Sequence, residues 1–533
     1  MPMMARDRFW IHGLVAGATA GVLAEALVLR LNPEVAQPPA EVALGVVLWA
    51  SWGALIAGVP IALLQLLARR LRRPREGVWP APGLTAFVYL VASVLAIVNA
   101  DLHLDQLSAT SRRVVLQDGV AWFLGALLAL VAGSAVRRLG GATRLKVAFA
   151  VVMLVLPAAR LIIRPTTSAQ PLTVAAQPVG RPSRPLVVVG VEGLDASVLL
   201  SYAGGGRAPT LQLFADGGAW GTLQPSEPFL RQSYWTTLAT GTSPGAHGVK
   251  AHWGWEMPWL VEQPMRLLPW TPQGSRLILP WGLARRVAPP PATVPALWER
   301  IRISGVETVV VEWPGFWPPQ SGVAEVEAGG ARPIADPDLD AALRMALEPF
   351  PDQAERVWRA IEGDRAVLDR ALDSLALGVG QVWLRLGALA EARQLLAPLK
   401  PSHTGEREVV ELMVELLDLE LEGLLAAAPP DALVVLVSPY GLSPPSPYER
   451  LRRLLGIGGD WRTSGDLCWD GVLMIHGRDV AVGRRFQDLS LPDVVPTLCY
   501  LLELPVAQYM EGEVVVEAVD EAFLATHPLL VDP

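Results

Sequence analysis

The first 164 residues consist of long apolar stretches separated by short polar loops. The apolar stretches run over Phe9–Leu31, Val42–Leu67, Leu84–Asn99, Val120–Val136 and Leu145–Ile163. Each is close to the ~20 residues that an α-helix needs to cross a bilayer. Four further stretches after the first argue against a cleaved signal peptide. The pattern therefore predicts a membrane domain of about five helices over residues 1–164.

The arginines predict how these helices are oriented. The N-terminus and the second and fourth loops carry eleven Lys and Arg residues, whereas the opposite side carries five. Positive residues favour the cytoplasmic side of a membrane. We therefore expect a cytoplasmic N-terminus, and five crossings would place everything after Ile163 outside the cytoplasmic membrane.

The rest of the chain changes from apolar spans to alternating strands and helices. Residues 165–185 are rich in proline and lack periodicity, which predicts a linker. Short buried strands are then expected at 186–191, within 306–319, and at 381–387, 432–438 and 471–477, with helical stretches at 336–376 and 405–428. This alternation predicts a doubly wound α/β domain with a largely parallel sheet over residues 186–533, including a helical insertion at about 336–428.

A loop-rich cap is expected at about 252–320. Eight tryptophans lie between Trp253 and Trp317, among many prolines. They are consistent either with internal packing of the cap or with a lipid-facing or partner-binding surface, because tryptophan favours both settings.

Charge and cysteine content narrow the candidate partners. Residues 1–165 contain 16 basic and 8 acidic residues, which leaves 28 basic and 44 acidic residues in the remainder, a net charge of −16. Nucleic-acid binding needs a basic surface, so we expect no nucleic-acid partner. The two cysteines, Cys468 and Cys499, are expected to be unpaired buried thiols, the alternative being a single bridge.

Glu25 lies inside the first apolar stretch. An ionisable residue at such a position is a functional candidate. The preferred interpretation is structural, with Glu25 facing other helices or lying near Arg30 at the outer interface.

Several stretches after residue 185 resemble one enzyme superfamily. They are VVVGVEGLDASVLL, APTLQLFADGGAWGTLQPSEP, YWTTLATGTSPGAHGV, ALWERIRISGVETVVVEWPGFWPP and LPDVVPTLCYLLELP. Together they are similar to the alkaline phosphatase superfamily, and closest to its type I phosphodiesterase/nucleotide pyrophosphatase branch. The resemblance runs from about Leu186 to Glu517 and implies an alkaline phosphatase-like fold.

The resemblance also implies a catalytic centre, and this sequence departs from it. The family uses two divalent metals, each held by Asp and His, and a Thr or Ser nucleophile. The corresponding positions here are Glu192 for the first aspartate, Arg231 or Gln232 for the nucleophile, Ala388 and Ala392, Pro439 and Tyr440, and Leu467 or Cys468. Alanine and proline offer no ligand atom, and arginine stays protonated. We therefore predict no catalytic residue, no metal and no cofactor.

Arg231 leaves two interpretations open. Its guanidinium would bind phosphate or sulfate in a pocket built for an anion. Alternatively, and preferably, it pairs with Glu192. His247, within PGAHGV, is expected to be structural.

Three functions follow from these features. The first is a membrane-anchored pseudoenzyme outside the cytoplasmic membrane, with a protein partner and a candidate anionic ligand, in a bacterium, as 41 Arg against three Lys suggest. The second is a metal-dependent phosphodiesterase or envelope phospho-headgroup transferase with a divergent site, for which the nearest hydroxyls are Ser233, Thr236 and Thr237. In the third, the membrane domain carries the function through Glu25.

Overall fold

The structure is a computed structural model, and the residues it describes form two compact units. The described residues are 10–33, 39–64, 81–103, 107–138, 143–163, 171–203, 206–225, 231–250, 254–256, 265–269, 285–287, 291–315, 323–324, 332–396, 404–442 and 470–532. The first unit comprises Met1–Ala169, Trp253–Ala288 and Ile457–Gly459. The second comprises Gln170–His252, Pro289–Gly456 and Asp460–Pro533.

The first unit is built from helices at all five predicted apolar stretches. They are α1 (Trp10–Leu31), α2 (Pro39–Gly53, continued by a π-turn at Ala54–Gly58), α3 (Ala81–Leu102), α4 (Ala109–Arg138) and α5 (Thr143–Ile163). By length and composition, four are apolar enough to cross a membrane: Gly13–Leu31, Val42–Leu64, Gly83–Leu102 and Thr110–Ala135. The apolar part of α5, Val147–Ala158, is shorter. The predicted count of about five spans is therefore approximate.

A stripe of glycines lets α1 and α2 pack at backbone contact. Gly13, Gly17 and Gly21 repeat every fourth residue and so lie on one face of α1. A methyl group at Gly17 would come within 2.4 Å of the Gly53 carbonyl oxygen, and one at Gly21 within 1.9 Å of the Trp49 carbonyl oxygen. Small residues at this spacing are typical of close helix pairs in membranes.

Charged side chains are buried inside this helix bundle. Arg30 donates from Nε to Asp118 Oδ2 at 2.9 Å, and both side chains are almost fully covered. Glu25 is 2% exposed, and its Oε2 atom has no hydrogen-bond partner among the described residues. Glu25 therefore faces the protein interior, as the structural interpretation expected, while the partner of Arg30 is Asp118.

Part of the predicted cap belongs to the helical unit. Two short antiparallel strands, β3 (Gly254–Glu256) and β4 (Arg285–Val287), lie there. Asn32, just after α1, donates from Nδ2 to the Leu267 carbonyl at 2.8 Å and accepts from the Leu267 amide at 2.7 Å. Leu267 is buried among the helices. These contacts fix the backbone of this segment at the end of α1.

The second unit contains an eight-stranded sheet. Its strands are β1 (Leu186–Val191), β2 (Ala219–Gln224), β5 (Thr308–Val311), β6 (Val323–Ala324), β7 (Gln381–Leu386), β8 (Leu433–Ser438), β9 (Gly471–His476) and β10 (Arg484–Ser490). Their order across the sheet is β10-β2-β9-β8-β1-β7-β5-β6. Among the described strands of this sheet, only β9 runs antiparallel to its neighbours, so the predicted doubly wound, largely parallel sheet is confirmed. A small separate pair joins β11 (Val506–Ala507) to β12 (Val531–Asp532).

Helices cover both faces of this sheet. They are α6 (Ala196–Ala203), α7 (Pro209–Gly217), α8 (Arg231–Thr240), α9 (Pro244–His247), α10 (Leu297–Ile303), α11 (Pro337–Leu347), α12 (Pro351–Ala376), α13 (Ala388–Leu395), α14 (Thr404–Ala427), α15 (Val494–Leu501) and α16 (Glu521–Thr526). One core lies between the sheet and α8, α10 and α15, and the other between the sheet and α7, α11, α12, α13 and α14. The unit therefore has three layers.

Residues 171–185 lie along the second unit as extended chain. The Leu172 amide donates to the Ala246 carbonyl at 2.8 Å, and the Ser183 amide donates to the Leu502 carbonyl at 3.0 Å. Arg184 forms a 2.6 Å ion pair with Asp479. The Pro-rich segment predicted as a linker is thus attached to the sheet unit over these residues.

The thiol of Cys499 is free and buried in α15. Burial raises its pKa to about 12, so it stays protonated and unreactive. Cys468 lies outside the described residues.

Candidate functional site

Four strands of the second unit end at one edge of the sheet. Since β1, β5, β7 and β8 are parallel, the residues that follow them lie together. These residues are Glu192, Glu312, Gly387 and Pro439. This edge is where an open α/β sheet usually places its site.

A partly buried arginine joins two of these strand ends. Arg385, the fifth residue of β7, lies 3.3 Å from Glu192 Oε1 through one terminal nitrogen and 3.9 Å from Glu312 Oε2 through the other. Its Nε donates to the Glu312 carbonyl at 3.0 Å, and Trp235 Nε1 donates to Glu192 Oε1 at 3.1 Å. Burial lowers the pKa of Arg385, but the surrounding carboxylates outweigh this effect and raise the pKa overall, so the guanidinium stays charged.

A second arginine joins the loops after β1 and β8. Arg393, on α13, forms a 2.7 Å ion pair with Asp195 Oδ2, donates to the Leu442 carbonyl at 2.6 Å, and also donates to the Gly193 carbonyl. The other carboxylate oxygen of Asp195 accepts from the amides of Ser197 and Val198, both at 3.0 Å, and so caps α6.

Gly441 allows these two loops to approach each other. A methyl group there would lie 2.3 Å from Asp195 Cβ, which is far inside van der Waals contact. The glycine at this position is therefore required by the close contact between the loops.

Asp364, on α12, holds the start of α13. Its two oxygens accept from the Gly387 and Ala388 amides, both at 2.8 Å. Burial raises its pKa to about 6, although the two amides and Arg385 act in the opposite direction. Asp364 lies deep in the fold but lines a cavity, so it is partly exposed.

A known protein family matches the part of the chain that contains most of this sheet. Residues 186–478 match the family model of type I phosphodiesterase / nucleotide pyrophosphatase. The chain belongs to this family. A search of curated protein sequences gave no match.

Solved structures from the alkaline phosphatase superfamily are similar to the chain. Murine ectonucleotide pyrophosphatase / phosphodiesterase 5 is 11% identical over 60% of this chain and 95% of its own, with a TM-score of 0.38. The human counterpart is 10% identical over 62% and 98%, with a TM-score of 0.37. A mutant of alkaline phosphatase PafA is 12% identical over 63% and 99%, with a TM-score of 0.40.

The described positions that were predicted to correspond to metal ligands of the phosphodiesterase family hold packed side chains. Ala388 and Ala392 are buried in α13, and Pro439 and Tyr440 are buried after β8. The Tyr440 ring packs 6.3 Å from that of Tyr234, between ring centroids. Leu467 and Cys468, at the family's last histidine position, lie outside the described residues.

Among the described side chains, Arg385 and Trp235 contact Glu192, and its predicted pairing with Arg231 stays a prediction. Arg231 and Gln232 begin α8, where the family's nucleophile would stand, and their side chains lie outside the described ones. Anion binding by Arg231 stays a prediction. Arg385 was missed, although a charged residue within a buried strand was a visible signal.

The hydroxyls nearest to the predicted nucleophile position point into packed protein. Ser233, Thr236 and Thr237 are at most 1% exposed. The Thr237 hydroxyl donates to the Ser233 carbonyl at 3.2 Å and contacts His247 Nε2 at 3.1 Å. None of the three presents its oxygen to a substrate.

His247 has the structural role expected of it. The Val249 amide donates to its Nδ1 at 3.1 Å, so the neutral ring carries its proton on Nε2, facing Thr237. Burial, assisted by Lys250, lowers its pKa to about 3. A ring in this tautomer cannot take the Thr237 proton at Nε2.

The two-metal centre of the phosphodiesterase family does not fit these residues. Of the described family positions, only Glu192 and Tyr440 carry an oxygen on the side chain, and Glu192 is engaged by Arg385 and Trp235. Within the described ranges, no three His, Cys, Asp or Glu side chains are grouped as a metal site requires. The arrangement can hold charges and hydrogen bonds in fixed places, and none of the three hydroxyls described above is activated as a nucleophile.

Proposed function

We propose that this chain is a membrane-anchored pseudoenzyme of the type I phosphodiesterase family, with a binding, scaffolding or regulatory role outside the cytoplasmic membrane. The observation that carries the proposal is the pair of partly buried guanidiniums, Arg385 and Arg393, at the edge of the sheet where the strands β1, β5, β7 and β8 end. They neutralise Glu192 and Asp195, the acidic side chains that follow β1.

Guanidiniums cannot replace the family's metals in catalysis. Arginine has no acceptor atom, cannot coordinate a hydroxyl oxygen as a metal does, and repels an incoming cation. It can nevertheless fix strand ends through several hydrogen bonds, as Arg393 does with two carbonyls and one carboxylate. The chemistry of this edge thus favours a stable binding surface over phosphoryl transfer.

Metal content and turnover of the full-length chain in detergent test this proposal together. Elemental analysis should find no stoichiometric zinc or manganese, and bis(p-nitrophenyl) phosphate should not be hydrolysed with either metal added. Two metals per chain with turnover would instead support the alternative, a metal-dependent phosphodiesterase or envelope phospho-headgroup transferase with a divergent site.

The location rests on the arginine bias of the helical unit. A membrane-impermeant maleimide should label Leu377→Cys in intact cells, since Leu377 is 83% exposed in the sheet unit. Arg72→Cys, in a loop assigned to the cytoplasm, should be labelled only after lysis. The reverse labelling pattern would overturn the proposed topology.

One observation favours a second candidate function, in the helical unit. Glu25 is buried and its Oε2 atom lacks a hydrogen-bond partner among the described residues, which is a costly arrangement for a merely structural residue. If the helices carry the function, Glu25→Gln should abolish the cellular phenotype while the sheet unit keeps its urea midpoint. An unchanged phenotype would exclude this candidate.

A further inference from the structure

A cavity of about 460 Å³ lies in the sheet unit beside Arg385. One wall is a single face of α12, which includes Arg356, Arg359 and Asp364. The opposite wall is formed by the strand ends at Glu192 and Glu312. This volume is within the range of pockets that bind small organic molecules.

The strand-end side of the cavity has an excess of negative charge. Three carboxylates, those of Glu192, Glu312 and Asp364, surround the single guanidinium of Arg385. The Glu312 carboxylate lies 3.9 Å from the Arg385 guanidinium, and its side chain is 38% exposed. Its backbone is left-handed, with φ of 55°, an unfavourable conformation for a non-glycine residue that often marks a functional site.

Two arginines, Arg356 and Arg359, line the other end of the cavity. Arg356 is paired with Glu391 at 2.7 Å. Arg359 is 68% exposed, and its pair with the exposed Glu355 on the same helix is of a kind that contributes little. The guanidinium of Arg359 can therefore exchange this partner for a ligand at low cost.

The helix sets the distance between the two ends. Arg359 and Asp364 are five residues apart on α12, which corresponds to about 7.5 Å along the helix axis. A ligand that contacts both ends therefore needs opposite charges separated by several bonds.

We propose that this cavity binds a small zwitterion, with its ammonium group at Glu312 and Asp364 and its anionic group at Arg359. The inference rests on the proposed function, since it names the ligand class of a site that binds without turnover. A dianion would meet the three carboxylates, and a dication would meet the arginines of α12, so each is disfavoured at one end.

Three linear molecules of similar length distinguish a site for a zwitterion from a site for a dianion or a dication. Calorimetric titration of the full-length chain in detergent would compare ε-aminocaproate, adipate and hexamethylenediamine. Binding of ε-aminocaproate at least tenfold tighter than of the other two is expected. Equal binding of all three, preference for adipate or the diamine, or no binding at millimolar concentration would overturn the proposal.

Matched variants assign the binding to the cavity. Arg359→Gln and Glu312→Gln should each weaken ε-aminocaproate binding about tenfold or more, as expected when one charge-assisted contact is lost. Arg344→Gln removes an arginine with the same exposed i,i+4 pairing, on α11 and outside the cavity lining, and should leave binding unchanged. Equal effects of Arg359→Gln and Arg344→Gln would contradict the assignment.

The same samples distinguish failure of the inference from failure of the proposed function. Selective binding together with hydrolysis of bis(p-nitrophenyl) phosphate would refute the pseudoenzyme and retain the zwitterion site. Absence of both binding and hydrolysis would refute the site and retain the pseudoenzyme.

Discussion

Replacement of Arg393 by methionine should destabilise the sheet unit strongly. The change removes a 2.7 Å ion pair with Asp195, whose side chain is 2% exposed, and two donations to the Gly193 and Leu442 carbonyls. Removing one partner of a buried ion pair typically costs 3–5 kcal/mol. Because Arg393 is 12% exposed and Asp195 keeps the amides of Ser197 and Val198, we expect the lower end, about 3 kcal/mol.

Urea unfolding of the full-length chain in detergent, followed by tryptophan fluorescence, measures this loss. The readout is suitable because Trp235, Trp298, Trp313 and Trp383 pack together in the same unit, with ring centroids 5.0–5.8 Å apart. The exposed pair of Arg344 and Asp340 provides the control. Arg344→Met should cost only about 1 kcal/mol, since it removes that pair and the stacking of the guanidinium on the Trp358 ring, 4.4 Å from the ring centroid.

A double variant checks the physical cause. Combining Arg393→Met with Asp195→Asn removes both charges, and asparagine can still cap α6 through its amide oxygen. The free energy of unfolding of the double variant should be higher than that of Arg393→Met by about 1 kcal/mol or more, because no uncompensated charge remains buried. If Arg393→Met costs no more than Arg344→Met, or if the double variant is less stable than Arg393→Met alone, the electrostatic reasoning is refuted.

Three further changes test other parts of the structure. Gly190→Ala would place a methyl group 2.4 Å from the Trp235 ring, so a loss of about 1–3 kcal/mol in urea unfolding is expected, and an unchanged midpoint would contradict this packing. The pKa of Asp364 is raised from 3.8 to about 6 in the folded protein, so its contribution to stability is full below about pH 4 and is lost as the pH rises through 6. In Asp364→Asn this part of the pH dependence of the urea midpoint should disappear, and a pH profile identical to that of the unmodified chain would refute the assignment. Gly17→Leu should separate α1 from α2, seen as faster proteolysis of the helical unit than in Gly83→Leu, whose Cβ meets open space, and equal rates would contradict close packing.

The sheet could be predicted from sequence because its central strands are buried on both faces. Continuous apolar runs such as 186–191 and 433–438 have no competing helical period, and their observed bounds match the predicted ones closely. The strand β10, by contrast, contains Arg484, Arg485 and Gln487 and lies at the sheet edge. An edge strand with mixed polarity gives no clear alternation, so it was not predicted.

From the sequence, the site could be predicted only as substitutions at the expected ligand positions. A register along the motifs is enough to predict that Ala388, Ala392, Pro439 and Tyr440 stand where the family has metal ligands. The contact between Arg385 and Glu192 could not be predicted, because Arg385 reaches Glu192 from the neighbouring strand β7. Sequence distance gives no information on such a contact.

Arg385 also opposes metal binding at Glu192. A divalent ion there would lie close to a guanidinium that contacts the carboxylates of Glu192 and Glu312 and the Glu312 carbonyl. At a separation of 4 Å and an effective dielectric constant of 20, the repulsion between charges of +2 and +1 is about 8 kcal/mol. Pro439→Asp or Tyr440→His alone would add a ligand without removing that repulsion. We therefore expect metal binding at Glu192 to require the loss of Arg385 as well as the gain of a ligand.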